Sequence, residues 1–302
     1  MTSSGSRLEL RATGDGSPSL WSEEFGEGFH CGDGAYREAQ QKFVSPAQLE
    51  RFNTGQTVTV VDVGVGLAYN SAALLEAAGK RGLRLRWWGL ERDPRPLGLA
   101  LSEPSFRVLW QPETLAVLEQ LQTHSAWQRA DSQGRWLLGD ARQRTPELLE
   151  RAQGCVDLVL HDAFSPNRCP QLWTVEFLQQ LAQLLTPEGR LLTYCAAAGV
   201  RRGLQLVGLE LASLTPPGPG GRGPWSLGTV ASPMPLPATD AVLKPLSAME
   251  LEHLQTRAAE PYRDPSGTAE ASVILRSRQE QQQHSRAEGT SAWRRRWGLG
   301  RG

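Results

Sequence analysis

The chain is 302 residues long and 39% hydrophobic, enough for an ordinary buried core, and its 32 Lys plus Arg balance 32 Asp plus Glu. Zero net charge excludes a molecule-wide field that would attract a polyanion, but it leaves room for a locally basic face. Four scattered cysteines without a CxxC pair exclude a zinc ribbon and a disulfide framework, and no apolar leader or run of about 20 apolar residues is present, so a cytoplasmic chain without membrane, metal or export chemistry is expected.

Residues 1–20 read as a flexible leader that ends in the turn Gly14-Asp15-Gly16-Ser17-Pro18. Phe25, Phe29, Tyr36 and Phe43 then alternate with acids and glycines, an irregular segment that leads into a helix and is suited to lie as a lid over a site. From Thr57 short apolar runs alternate with amphipathic stretches. Strands are expected at 57–63, 83–90, 136–138, 156–161 and 190–194, with helices at 70–78, 112–122, 146–153, 173–185 and 200–206. This is the pattern of an α/β, Rossmann-like domain, a mostly parallel central sheet with helices on both faces, over residues 21–235. Past Leu211 comes a Pro/Gly-rich loop at 216–224, then a last strand at 225–230. A helix is expected at 248–258, within a C-terminal extension (236–275) packed on the domain. The Gln-rich run 279–283 and Trp293-Arg294-Arg295-Arg296-Trp297 lie in an expected disordered tail, 276–302, although rings interleaved with charge also suit single-stranded RNA.

The first long strand ends in Asp62-Val63-Gly64-Val65-Gly66, where glycines let the backbone turn tightly beside a ligand. A dinucleotide fingerprint needs a third glycine, and Tyr69 stands in its place. Asp62 disfavours a pyrophosphate and suits the ammonium of an amino-acid moiety. Glu91, at the end of the second strand, suits both hydroxyls of a ribose, and Asp140, after the third, suits an adenine amino group. Each acid alone also fits a solvated strand end. Together, at the carboxyl ends of three consecutive strands, they mark where open α/β sheets bind ligands.

The fourth strand ends in His161-Asp162-Ala163-Phe164-Ser165-Pro166, part of the run 157–166 that leads through Pro170 to Leu172-Trp173-Thr174. With Gly199-Val200-Arg201-Arg202-Gly203-Leu204, this run resembles the methyltransferase domain of the MnmC family, the tRNA 5-methylaminomethyl-2-thiouridine biosynthesis enzymes, and the likeness extends over residues 21–232. The resemblance implies transfer of a methyl group from S-adenosylmethionine to the primary amine of 5-aminomethyl-(2-thio)uridine at the tRNA wobble position. Carried over to this chain, Gly64, Gly66 and Glu91 match cofactor positions, Asp140 the adenine position, Asn70 the asparagine after the glycine loop, and Asp162 the amine position.

For nitrogen methylation, Asp162 serves either as a base or as an acceptor for charge developing in transfer, while capping a turn before Pro166 is its structural alternative. Phe164 can surround the methyl sulfonium by cation–π attraction, and His161 either packs or participates. Arg201 and Arg202, opening the helix after the fifth strand, are candidate phosphate contacts for an anticodon loop.

This chain departs from the family pattern in three ways. Ala68 replaces the loop's last glycine, a mild change if its backbone angle is ordinary. The region after Leu211 is proline-rich with only Arg222 and distant Lys244 as bases. A chain of this length has no room for the FAD-dependent oxidase half of fused relatives, so another enzyme is expected to make the aminomethyl group. Two further readings stay open: a methyl- or aminopropyltransferase acting on a free small amine, and a non-catalytic RNA- or protein-binding module.

Overall fold

The structure, a computed structural model, describes residues 5–215, 226–237 and 242–299. Contrary to the expectation of a flexible leader, β1 (Leu8–Ala12) pairs antiparallel with β2 (Pro18–Ser22), which in turn pairs with β3 (Glu27–Gly28). The Asp15 carboxylate fixes the hairpin by accepting from the Ser17 and Arg37 backbone N–H groups, and Gly16 supplies a φ of +82°. Most of β1 is exposed, so its sequence carries no alternating apolar signal.

The central sheet comprises β4 (Thr57–Val63), β5 (Arg84–Glu91), β6 (Ala126–Gln128), β7 (Ser132–Leu138), β8 (Val156–His161), β9 (Leu185–Thr193), β10 (Glu210–Leu214), β11 (Gly228–Ser232) and β12 (Leu243–Pro245). Their order is β12-β10-β11-β9-β8-β4-β5-β7-β6. The five strands from β9 to β7 run parallel, and β6, β11, β10 and β12 add antiparallel edges. Six of the seven β4 residues are buried because both faces are covered: Val58 and Val60 enter one core with Leu85 and Trp87, and Val61 and Val63 enter the other with Leu90 and Val159. Strand order reverses between β4 and its neighbours β5 and β8, which opens a crevice at their carboxyl ends.

The Pro/Gly-rich stretch 216–224, Arg222 included, lies outside the described residues. The expected last strand proves to be β11, and Lys244 sits exposed in β12. Beyond the helix Ala248–His253, residues 276–299 are not the disordered tail expected from composition: they contain most of the helix Ala271–His284 and all of Thr290–Arg296. Trp293 anchors them. It is fully buried, its ring stacks on His253 at 4.1 Å, and its indole N–H donates to the Met249 carbonyl. Arg296 pairs with both Glu252 and Glu288. The Gln-rich helix packs through buried Ile274 and partly buried Leu275, and Arg278 lies over the Tyr262 ring and donates to the Ala258 and Glu260 carbonyls. Among the described residues, no helix is long and apolar enough to cross a membrane.

Candidate active site

The glycine loop leaves β4 with Gly64 at φ +81° and Gly66 at φ +53°. A Cβ on Gly64 would stand 2.9 Å from the Asp162 carbonyl oxygen, and one on Gly66 would stand 3.1 Å from the Phe29 ring, so only glycine keeps this cradle open. Ala68 does not meet the condition of an ordinary angle. It sits in the left-handed region at φ +65° as the cap residue of the helix Tyr69–Lys80. Tyr69 fills the place of a third glycine, buried, with its hydroxyl donating to the Pro18 carbonyl at 2.8 Å.

Glu91 faces the cradle. Its Oε2 accepts the Gly66 N–H at 2.9 Å, and its Oε1 accepts those of Arg92 and Asp93. Burial nonetheless pushes its carboxyl above the ordinary range, against the pull of those donors. Because Oε1 already takes two N–H groups, the freer acceptor for a ribose hydroxyl is Oε2.

Asp140 lines the same pocket and caps a helix, Ala141–Ala152, that begins before Pro146 rather than at it. The sequence-based start at the proline follows the preference of that residue for a first turn; the Asp140 side chain, accepting from the Arg142 N–H, captures the start instead. Arg142 also pairs with Asp140 at 2.7 Å and with Asp264 at 2.8 Å.

At the end of β8, Asp162 accepts from the Asn70 side-chain amide at 2.7 Å. Burial, and after it the negative charge of Glu38, push its carboxyl up to about 8. Asn70 thus acts on Asp162 and does not itself line the pocket. The loop is held rigid: the Tyr194 hydroxyl donates to the Ala163 carbonyl, the Trp173 indole to the Phe164 carbonyl, and the Ser165 N–H to Glu27. The Phe164 ring stacks on Phe25 at 4.2 Å and meets the edge of Phe29 at 4.9 Å, which makes an aromatic wall.

Two sequence expectations are corrected here. Asp62 is fully buried behind the loop, accepts from the Ser71 hydroxyl and does not line the pocket, so it offers no surface to a ligand ammonium; burial pushes its carboxyl to about 7. Arg201 is 3% exposed and cannot meet a phosphate. Its guanidinium pairs with Glu250 at 2.8 Å and donates to Thr229, Ser213 and Ser226, tying its helix to β10, β11 and the helix Ala248–His253. Arg202, its neighbour, is exposed. His161 packs rather than participates: it is buried against Trp173, bonded to the Leu172 carbonyl, and burial lowers its pKa to about 4.

Sequence reasoning missed a second set of pocket residues, on the segment after β2. Glu38 and Lys42 form an i,i+4 ion pair whose side chains are both largely buried, and Lys42 stands over the Tyr194 ring. Burial alone would raise the Glu38 carboxyl, but Lys42 and the Cys31 N–H hold it below its ordinary range. The only signal in the sequence is the acids among aromatics over 25–43, together with that four-residue spacing.

The glycine cradle, Glu91, Asp140, Asp162, the aromatic wall, Glu38 and Lys42 line one cavity of about 500 Å³, built from the loops after β4, β5, β7 and β8 and roofed by residues 22–42. Its donor set runs from Asp140 through Glu91 and the glycine cradle to the aromatic wall and Asp162. That sequence of groups fits an adenosyl moiety at one end and a cationic reacting centre at the other. Among the described residues, no group of three or more His, Cys, Asp or Glu could hold a metal ion.

Comparison with known proteins gives three findings. A family of S-adenosyl-L-methionine-dependent methyltransferases matches residues 106–222. Two bifunctional tRNA 5-methylaminomethyl-2-thiouridine biosynthesis proteins, MnmC, are similar to the chain. The one from Azoarcus sp. (strain BH72) is 30% identical over 69% of this chain and 33% of its own length, and the one from Pseudomonas aeruginosa PAO1 is 30% identical over 79% and 37%. The chain therefore spans about one third of the length of these relatives. Among solved structures, MNMC2 from Aquifex aeolicus superimposes with a TM-score of 0.78 and 29% identity, over 94% of this chain and 87% of that one.

Proposed function

This chain belongs to the MnmC-type family of S-adenosylmethionine-dependent methyltransferases, and from that premise we propose that it methylates the primary amine of 5-aminomethyl-(2-thio)uridine at the tRNA wobble position. Bound S-adenosylmethionine supplies an electrophilic methyl group on a cationic sulfur. Glu91 would accept from the ribose and Asp140 from the adenine, while the rings of Phe25, Phe29 and Phe164 would exclude water and favour positive charge.

The observation that carries the reading is Asp162, a half-buried carboxyl held by Asn70 beside that wall. An alkylamine arrives as an ammonium, with a pKa of about 10.4 for Lys as the guide. Asp162 would take its proton, leaving a lone pair on nitrogen for the sulfonium methyl; the products would be a secondary ammonium and a neutral thioether, with the abstracted proton on Asp162. The carboxylate also stabilises positive charge growing on nitrogen. In this reading a separate enzyme makes the aminomethyl group, and exposed Arg202 is a candidate contact to the anticodon loop.

Asp162→Ala is expected to abolish methyl transfer while leaving cofactor affinity within a few-fold. Unchanged turnover in that variant would remove Asp162 from the mechanism.

A further inference from the structure

Among the described residues, three arginines gather in one groove that shares no lining residue with the pocket. On β5, β7 and β6 the register sets Arg86 beside Gln133, Trp88 beside Arg135, Ala126 beside Arg135 and Gln128 beside Gln133, and laterally paired residues share a face of the sheet. The helix Ala141–Ala152 packs on this side through Leu148 and Ala152, beside Leu137 and Leu90, and stops short of the edge. An open groove remains between that helix and the edge strands, lined by Arg86, Arg135, Arg151, Trp88 and the two glutamines, with no Asp or Glu among its lining residues.

Arg86 and Arg135 are exposed and have no ion-pair or side-chain hydrogen-bond partner among the described residues. The third arginine, Arg151, has only a 3.6 Å contact with Glu147. Trp88 is half-buried and presents part of its ring beside Arg135. Arg92, Arg95, Arg107 and Arg263, by contrast, pair with carboxylates, while Arg81, Arg84 and Arg276, which have no ion pair among the described residues, lie outside this groove. Guanidinium groups without acids, next to an indole face and amide side chains, are the chemistry of a phosphodiester backbone with stacking nucleotides.

We propose that this sheet-edge groove binds the RNA backbone of the tRNA substrate at a point away from the reacting nucleotide. The assignment rests on the functional reading above. Along β5, Arg86 lies five residues from Glu91, about 17 Å at strand rise, so one RNA hairpin can span from pocket to groove. The groove thereby provides a basic surface that the buried Arg201 does not.

The test compares the native chain with Arg86→Gln/Arg135→Gln, two exposed positions whose exchange leaves the cores untouched. Binding of bulk tRNA is titrated across salt, with cofactor affinity and methylation of free 5-aminomethyluridine nucleoside measured in parallel. The double variant is expected to bind tRNA at least tenfold more weakly, with the slope of log K against log salt shallower by about 2, while nucleoside methylation and cofactor affinity are unchanged. Native affinity and slope in the variant would overturn the groove while leaving the functional reading intact. A native chain that binds tRNA through these arginines but methylates none of it would keep the groove and sink the functional reading. Polyglutamate retained by the native chain and not by the variant, with no RNA bound by either, would overturn RNA in favour of an acidic protein.

Discussion

Asp162 combines two tasks that a surface carboxylate cannot. Because its pKa stands at about 8, it is protonated in the open pocket near neutrality and becomes a base as pH rises, so kcat/KM is expected to climb with pH toward a limb near 8. The Glu38 charge is part of what raises it, and Glu38→Gln should move that limb to lower pH; a pH–rate profile with an unmoved limb would contradict the coupling. The same shift sets a stability sign. A carboxyl whose folded pKa is raised contributes stability that is complete below about 4, its unfolded value, and is lost as pH rises through about 8. Asp162→Asn, which keeps an acceptor for Asn70, should therefore abolish transfer yet melt at a higher temperature than the native chain at pH 8 and above. Equal or lower melting there would show that the carboxyl is not strained by burial. Ala68 tells a similar story in the backbone: relief of its left-handed angle by Ala68→Gly should stabilise the fold by about 0.5–1 kcal/mol net of the extra freedom glycine brings to the unfolded chain, measurable by urea unfolding.

At the scale of elements, the parallel strands were legible because covered strands write themselves as apolar runs, and β4 and β8 fall where those runs predict. Strand-end acids follow from the same pattern, which is how Glu91, Asp140 and Asp162 could be placed before any coordinates. Arg201 was misread because an arginine at a helix start suggests solvent, whereas its partner Glu250 is 49 residues away in sequence. Glu38 and Lys42 were missed for the same reason: the segment that carries them reaches the pocket only by tertiary docking. The C-terminal extension behaves likewise. Asp264, 1% exposed, holds Arg142, which holds Asp140, and Tyr262 bridges to Thr174. Asp264→Asn should raise the dissociation constant for S-adenosylmethionine severalfold with little change in kcat, because Asp264 positions Asp140 from outside the pocket; a changed kcat at native affinity would contradict this. Trp293→Ala removes a fully buried indole and should cost about 3–5 kcal/mol in urea unfolding if the last helices belong to the cooperative fold. A loss under about 1 kcal/mol would return them to a loosely attached tail.

At the scale of the molecule, a neutral chain builds an acid-rich pocket on one rim of its sheet and an arginine groove along one edge. Composition hid both, since it reports only the total, which is neutral. Sequence located the cofactor crevice and the aromatic segment that roofs it, but the basic edge depends on which strands neighbour which, and no local pattern contains that. The most direct test of the central claim is to incubate the native chain with radiolabelled S-adenosylmethionine and bulk tRNA from cells that lack the modification, then digest the RNA and identify the labelled nucleoside. Label is expected in the 5-methylaminomethyl derivative of the wobble uridine. Label in a polyamine extract, with none in RNA, would contradict it.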